Sequence, residues 1–132
     1  NPITAVMAAC RALGAQKIGF LTPYVEDVSA AMRQLLEQNG FEITGFLSFE
    51  EGQEKTVARI AQESVLGAIE VLGEGDCDVV FASCTNLRSF DVIERAEAII
   101  DRPVISSNSA MAWHMAHLAG RKVKGPGRLF DL

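Results

Sequence analysis

Long apolar runs are missing from this chain: nothing approaches the ~20 consecutive residues that a membrane-crossing helix requires. Positive charge is also scarce. Against 17 Asp and Glu there are 12 Lys and Arg, a formal net charge of -5, and phosphate binding needs the opposite sign, so no nucleic-acid partner is expected. The basic cluster Arg121-Lys122-Val123-Lys124 is too short to change that. Cysteine is sparse and odd in number, three in all, without metal-ligand spacing. That argues for reduced thiols, a cytoplasmic location and no zinc site. No secretory signal is visible, no internal repeat and no linker; the chain opens on Asn1 rather than Met, so further residues are expected upstream.

What remains is ordinary globular material, 48% hydrophobic and 22% charged. At 132 residues it is one domain, or part of one, able to bury roughly two-thirds of its unfolded surface. The pattern predicts helices over 5–13, 26–38, 54–72, 89–100 and 109–118, and strands over 17–22, 42–49, 79–83 and 104–107. Thr4 is the expected N-cap of the first helix, and Ser107–Ser109 the cap of the last. Val28, Ala31, Met32, Leu35 and Leu36 mark the apolar side of the second helix. Helices and strands alternate, with connections too long for hairpins. The expected architecture is therefore α/β: a four-stranded parallel sheet with helices on both faces and an irregular tail from Arg121.

The most informative stretch is Asp78-Val79-Val80-Phe81-Ala82-Ser83-Cys84-Thr85-Asn86. A short apolar run, suited to a buried parallel strand, stops abruptly at a thiol and leads into a helical pattern. Ligands bind open α/β sheets at such strand exits, where helix N-termini offer free N–H groups and partial positive charge. That environment favours thiolate, which singles out Cys84. The other strand exits are polar too: Thr22-Pro23-Tyr24, Ser48–Glu51 and Ser106-Ser107-Asn108. Together they suit a small polar ligand, although such loops are commonly polar simply because they cap helices.

At these residues the sequence resembles the aspartate/glutamate racemase superfamily. Within it, the resemblance is to the branch of maleate cis–trans isomerases, arylmalonate decarboxylases and the ectoine-utilisation protein EutA. It is carried by Ala12–Ala15, Leu21–Val28, Ser83–Arg88, Arg102–His114 and Gly125–Phe130, and so runs along nearly the whole chain. The resemblance implies a two-lobed fold with the active site between lobes, and residues 1–132 as the C-terminal lobe, the first lobe being absent. It implies a catalytic role for Cys84, a tyrosine at Tyr24 that holds a substrate carboxylate, and Thr22, Ser83, Thr85 and Asn86 along the pocket. It further implies a small carboxylate substrate, no cofactor and no metal, and assembly as a homo-oligomer.

The chemistry so implied is proton transfer or addition beside a carboxylate. Cys84 would donate a proton in a racemase, protonate an enediolate after decarboxylation, or add as a thiolate to a double bond and permit rotation. Thr85-Asn86 after the cysteine is closer to the isomerase and ectoine-utilisation members than to decarboxylases, where glycines are expected. The acidic loop Phe49-Glu50-Glu51-Gly52-Gln53 would repel a second carboxylate. A racemase or isomerase of the ectoine-utilisation type is therefore the favoured reading. A decarboxylase and a non-catalytic carboxylate-binding lobe are the alternatives.

Each residue also has a plainer role. Cys84 as an inert buried thiol is the lesser alternative, whereas Tyr24 as a strand-edge cap stands nearly level with its binding role. Cys10 and Cys77 read as packing or surface residues. His114 and His117 lack a third ligand and read as a partner-facing or solvated face, with Met111, Trp113, Met115 and Leu118 as core or interlobe contacts. Arg88 either pairs with Asp91 or steers anions.

Overall fold

The structure, a computed structural model, describes residues 2–22, 26–48, 62–83, 93–122, 125 and 127–132. Its elements are α1 (Pro2–Leu13), β1 (Lys17–Thr22), α2 (Glu26–Gln38), β2 (Glu42–Ser48), α3 (Gln62–Gly73), β3 (Val79–Ala82), α4 (Ile93–Ile100), β4 (Val104–Ser106) and α5 (Ser107–Leu118), followed by a 3₁₀ turn at Arg128–Asp131. Alternation along the strands meets helical periodicity from both sides. Ile18, Phe20, Val79, Phe81 and Ile105 pack toward α1, α2 and α5, while Leu21, Val80, Ala82 and Val104 pack toward α3 and α4. The result is three layers around a parallel sheet with strand order β2-β1-β3-β4.

Aromatic packing fixes the centre. Phe20 lies 5.6 Å from Phe46 and 5.3 Å from Phe81 between ring centroids, both in tilted or edge geometry. Phe20 and Phe81 are wholly buried, and each such side chain contributes ~1.5–3 kcal/mol relative to exposure. The ladder between β1 and β2 runs in step from Lys17↔Glu42 to Ile18↔Ile43, then jumps to Gly19↔Gly45, leaving Thr44 as a one-residue bulge. Beyond it, Phe20 faces Phe46 and Thr22 faces Ser48.

The amino ends of the strands are tied by side chains. The Asp78 carboxylate accepts the backbone N–H of Gln16 and of Lys17, each at 3.0 Å, and these bonds hold its pKa below the usual value. The Arg102 guanidinium donates to the carbonyls of Gly73 and Gly75 and so closes the end of α3. Glu97, on the inner face of α4, is buried. One of its oxygens accepts Val104 N–H at 2.8 Å, and both share Arg128 N–H at 2.9 and 3.0 Å. Burial outweighs these donors and raises its pKa. Glu97 thus joins α4 to β4 and to the 3₁₀ turn.

The parallel sheet and its two covered faces agree with the sequence reading, and β1 and α2 have the expected bounds. Other expectations require correction. Helix α1 begins at Pro2, leaving Thr4 exposed inside the first turn rather than capping it; proline suits that turn because its missing N–H would have had no helical partner. Strand β4 stops at Ser106, and Ser106 rather than Ser107–Ser109 caps α5. Its hydroxyl accepts Ser109 N–H at 3.0 Å, and Ser109 Oγ accepts Ser106 N–H at 2.8 Å, a reciprocal capping box. The tail is not wholly irregular: the 3₁₀ turn buries Leu129 and Phe130. On α2, Leu36 is buried but Leu35 is 38% exposed and Ala31 is exposed. On α5, Met111 and Trp113 pack on the core, whereas Met115 and Leu118 are 69% and 73% exposed, so of the core and interlobe roles expected of them the core one fails. The first eight residues expected in the third helix, Glu54–Ala61, and those expected to begin the fourth, Ser89–Val92, lie outside the described residues.

Candidate functional site

The strand order places a topological switch point between β1 and β3. The chain leaves β1 toward β2 on one side, then returns past β1 to β3 on the other. In open α/β sheets, ligands bind beyond the carboxyl ends of the strands at such a point. Thr22 and Ser83 are the residues at which the described parts of these two strands end. The ladder pairs Leu21 with Ala82 and continues through Ser83 N–H, which donates to Leu21 O at 2.8 Å, so Thr22 and Ser83 are the next residues on adjacent strands. Two steps beyond Phe20 and Phe81, both return by alternation to the α1–α2–α5 side of the sheet.

Both residues are wholly buried. Thr22 has a polar partner; the Ser83 hydroxyl has no hydrogen-bond partner among the described residues. A buried, unpartnered hydroxyl costs ~1–3 kcal/mol, so its place at a strand exit is chemically informative. Polarity is concentrated at this rim. Of the six buried polar residues described, Thr22, Ser83, Ser106, Ser107 and Ser109 lie at the carboxyl edge or the start of α5, and only Glu97 lies elsewhere. Ser106 and Ser109 spend their hydrogen bonds on each other's backbone, whereas the Ser83 hydroxyl has no partner among the described residues.

Of the residues expected to form the site, the structure brings Thr22 and Ser83 together. Cys84, Tyr24, Thr85 and Asn86 lie outside the described residues, as do the Phe49–Gln53 loop, Arg88 and Asp91. The other two thiols are built for packing. Cys10 is buried on α1, where loss of hydration pushes its pKa up to about 12. Cys77 is buried beneath the sheet, donates to Leu72 O at 3.5 Å, and is likewise raised by burial. Neither is a candidate nucleophile at neutral pH. Among the described residues no group of three or more His, Cys, Asp or Glu is placed to hold a metal ion. His114 and His117 instead flank Trp113, with the His117 ring stacked on the indole at 4.9 Å and 12°.

Sequence reasoning missed Glu97. Its signal was present, a carboxylate following Ile93 and Ala96 on the apolar side of a short helix.

A family model described as arylmalonate decarboxylase matches residues 3–130. The chain belongs to the arylmalonate decarboxylase family. The arylmalonate decarboxylase of Bordetella bronchiseptica is 32% identical over 97% of this chain and 55% of its own length. A maleate isomerase from Nocardia farcinica is 29% identical over 93% of this chain and 49% of its own. The chain therefore spans about half the length of the curated relatives it matches. Among solved structures, unliganded arylmalonate decarboxylase superposes with a TM-score of 0.87 at 31% identity, covering 98% of this chain and 59% of that one. A cysteine-to-serine mutant of the N. farcinica maleate cis–trans isomerase, with a covalently bound succinylcysteine intermediate, superposes with a TM-score of 0.88 at 28% identity, covering 96% and 53%. Arylmalonate decarboxylase family membership thus accounts for the three-layer fold.

Proposed function

We propose that this chain is the C-terminal lobe of a cofactor-independent racemase or isomerase in which Cys84 acts beside the carboxylate of a small acid or amino-acid derivative. The observation that carries this reading is the switch-point pair Thr22 and Ser83, with an unpartnered buried hydroxyl one residue before the thiol. In this reading Tyr24, Thr22, Ser83, Thr85 and Asn86 hold the carboxylate, and an upstream lobe completes the cleft. The developing enediolate carries a second negative charge and needs such donors close by. In a racemase, a base on the upstream lobe takes the α-proton from one face, and the Cys84 thiol gives its proton to the other face of that carbanion, leaving the thiolate. In an isomerase, its thiolate adds to the double bond, the electron pair moves onto the carboxylate-bearing carbon, the remaining single bond rotates, and loss of the thiolate restores the double bond.

Thr85-Asn86 after the thiol supports an isomerase or racemase of the ectoine-utilisation type. The 32% identity to an arylmalonate decarboxylase supports a second reading, decarboxylation with Cys84 protonating the resulting enediolate. Cytoplasmic location and a homo-oligomeric state belong to the same proposal. Among the described residues no helix is long and apolar enough to cross a membrane.

The test is alkylation of the intact protein with iodoacetamide, with and without small carboxylates, alongside turnover of maleate, arylmalonate and chiral amino-acid derivatives. Cys84 should alkylate faster than a free cysteine peptide and be protected by the substrate class. Cys84→Ser should abolish turnover. A Cys84 no more reactive than the peptide, unprotected by any carboxylate, would overturn the proposal.

A further inference from the structure

A second concavity lies at the opposite end of the molecule. Helix α1 leads into the start of β1 and α5 leaves the end of β4, so both helices finish at the amino edge of the sheet, away from Thr22 and Ser83. Between those ends and the 3₁₀ turn is a cavity of about 270 Å³. Trp113 and Phe130 give it aromatic walls, and Ala12 and Ala116 are small enough to leave it open. Arg121 and Lys122 stand at its edge beside His117.

This rim is basic in a chain whose net charge is -5. Its two cations are exposed and form no ion pair with a described residue, unlike Lys17 and Arg128, which pair with Asp76 and Asp101. Nor are they taken up by the end of α5. Gly120, at φ 70°, lets Gly120 N–H reach His117 O and Arg121 N–H reach Ala116 O, so backbone donors cap those carbonyls. The volume sits just below the ~300 Å³ at which small-molecule sites begin, and the walls are mainly apolar. A partly open hollow of that size, with aromatic walls and two cations at its edge, suits a compact aromatic anion.

We propose that this cavity binds a small aryl carboxylate, its ring held against Trp113 and Phe130 and its carboxylate held by Arg121 and Lys122. The site is separate from the switch point and does not depend on the activity proposed there.

Trp113 is the one tryptophan in the chain and therefore reports on this wall alone. Titrating the intact protein with phenylacetate, under selective excitation of the indole, should give a saturable change in emission. Phenylacetamide, equal in shape but uncharged, should need at least about fivefold more ligand, as should the Arg121→Ala/Lys122→Ala double variant. Both cations are exposed, so that variant retains the core. Ala116→Leu should abolish the response by filling the hollow, and Cys84→Ser should leave it unchanged. Equal response to phenylacetamide, or full response in the double variant, would overturn the proposal. So would a response lost in Cys84→Ser, which would place the ligand at the other edge. Emission that changes with protein concentration alone would assign the hollow to a second polypeptide and would also overturn it.

Discussion

Replacing Glu97 by alanine should destabilise the protein by about 2–3 kcal/mol. The carboxylate is buried and satisfies two backbone donors, Val104 N–H at the start of β4 and Arg128 N–H at the start of the 3₁₀ turn. Val104 N–H is buried, so orphaning it costs ~1–3 kcal/mol; Arg128 N–H is partly buried and adds about half as much. Relief from burying a charge offsets part of that sum, because the raised pKa shows that desolvation is the larger influence on this group. Glu97→Gln keeps one acceptor oxygen and turns the amide toward the other donor, so roughly half the penalty remains. Urea unfolding of all three proteins measures these differences, provided the slope is unchanged.

The same residue predicts a pH dependence of definite sign. A carboxyl whose folded pKa is raised binds its proton more tightly folded than unfolded. Its contribution to stability is therefore greatest below the unfolded value of ~4.3 and falls as pH rises through the folded value. The stability of the wild type relative to Glu97→Gln should accordingly grow on acidification from neutrality. A difference that stays constant or shrinks, or an alanine variant costing under about 0.5 kcal/mol, would refute the argument.

Asp78 should act in the other direction. Its lowered pKa stabilises the fold above the unfolded value of ~3.9, and that contribution is lost as pH falls through the folded value, so Asp78→Asn should flatten the acid limb of the urea midpoint against pH. Gly73→Ala would set a Cβ 2.5 Å from Ile100 Cγ2 and 2.7 Å from its Cβ, so urea unfolding should show a loss of about 1–3 kcal/mol. Phe81→Ala, emptying the place beside Phe20, should cost about 3–5 kcal/mol by the same measurement. Thiol titration should find Cys10 and Cys77 unreactive in the native protein and accessible in urea; rapid native labelling of either would contradict their burial.

The fold was legible because periodicity changes cleanly along the chain. Apolar runs such as Val79–Ala82 are too short for helices, while residues 26–38 repeat at helical spacing. Boundaries were less legible where two hydroxyls compete for one role: Ser106, Ser107 and Ser109 are chemically similar, and only backbone geometry decides which one caps. For Met115 and Leu118 exposure decides against the core role and not against the interlobe one, because periodicity marks a face as apolar without stating what covers it. Of the candidate site, the strand exits and their polarity were readable, and alternation explains why Thr22 and Ser83 share a side. Strand order was not readable, since parallel crossovers of similar length permit several arrangements, and strand order is what makes those two residues neighbours. Glu97 escaped because an acidic residue beside apolar helix positions ordinarily sits at the solvent border.

The bulge in β2 gives the sheet a spare link. Thr44 is exposed and is opposed by no residue of its own, while Gly45 through Ser48 already match Gly19 through Thr22 one for one. Excising Thr44 would therefore shorten the strand yet leave Phe46 facing Phe20 and Ser48 aligned with Thr22. Excising Phe46 instead would slide everything downstream by one pleat and turn Leu47 toward the wrong layer. Length change in this strand is thus tolerable at one place and ruinous two residues later, and that difference sets which residue arrives at the rim next to Thr22.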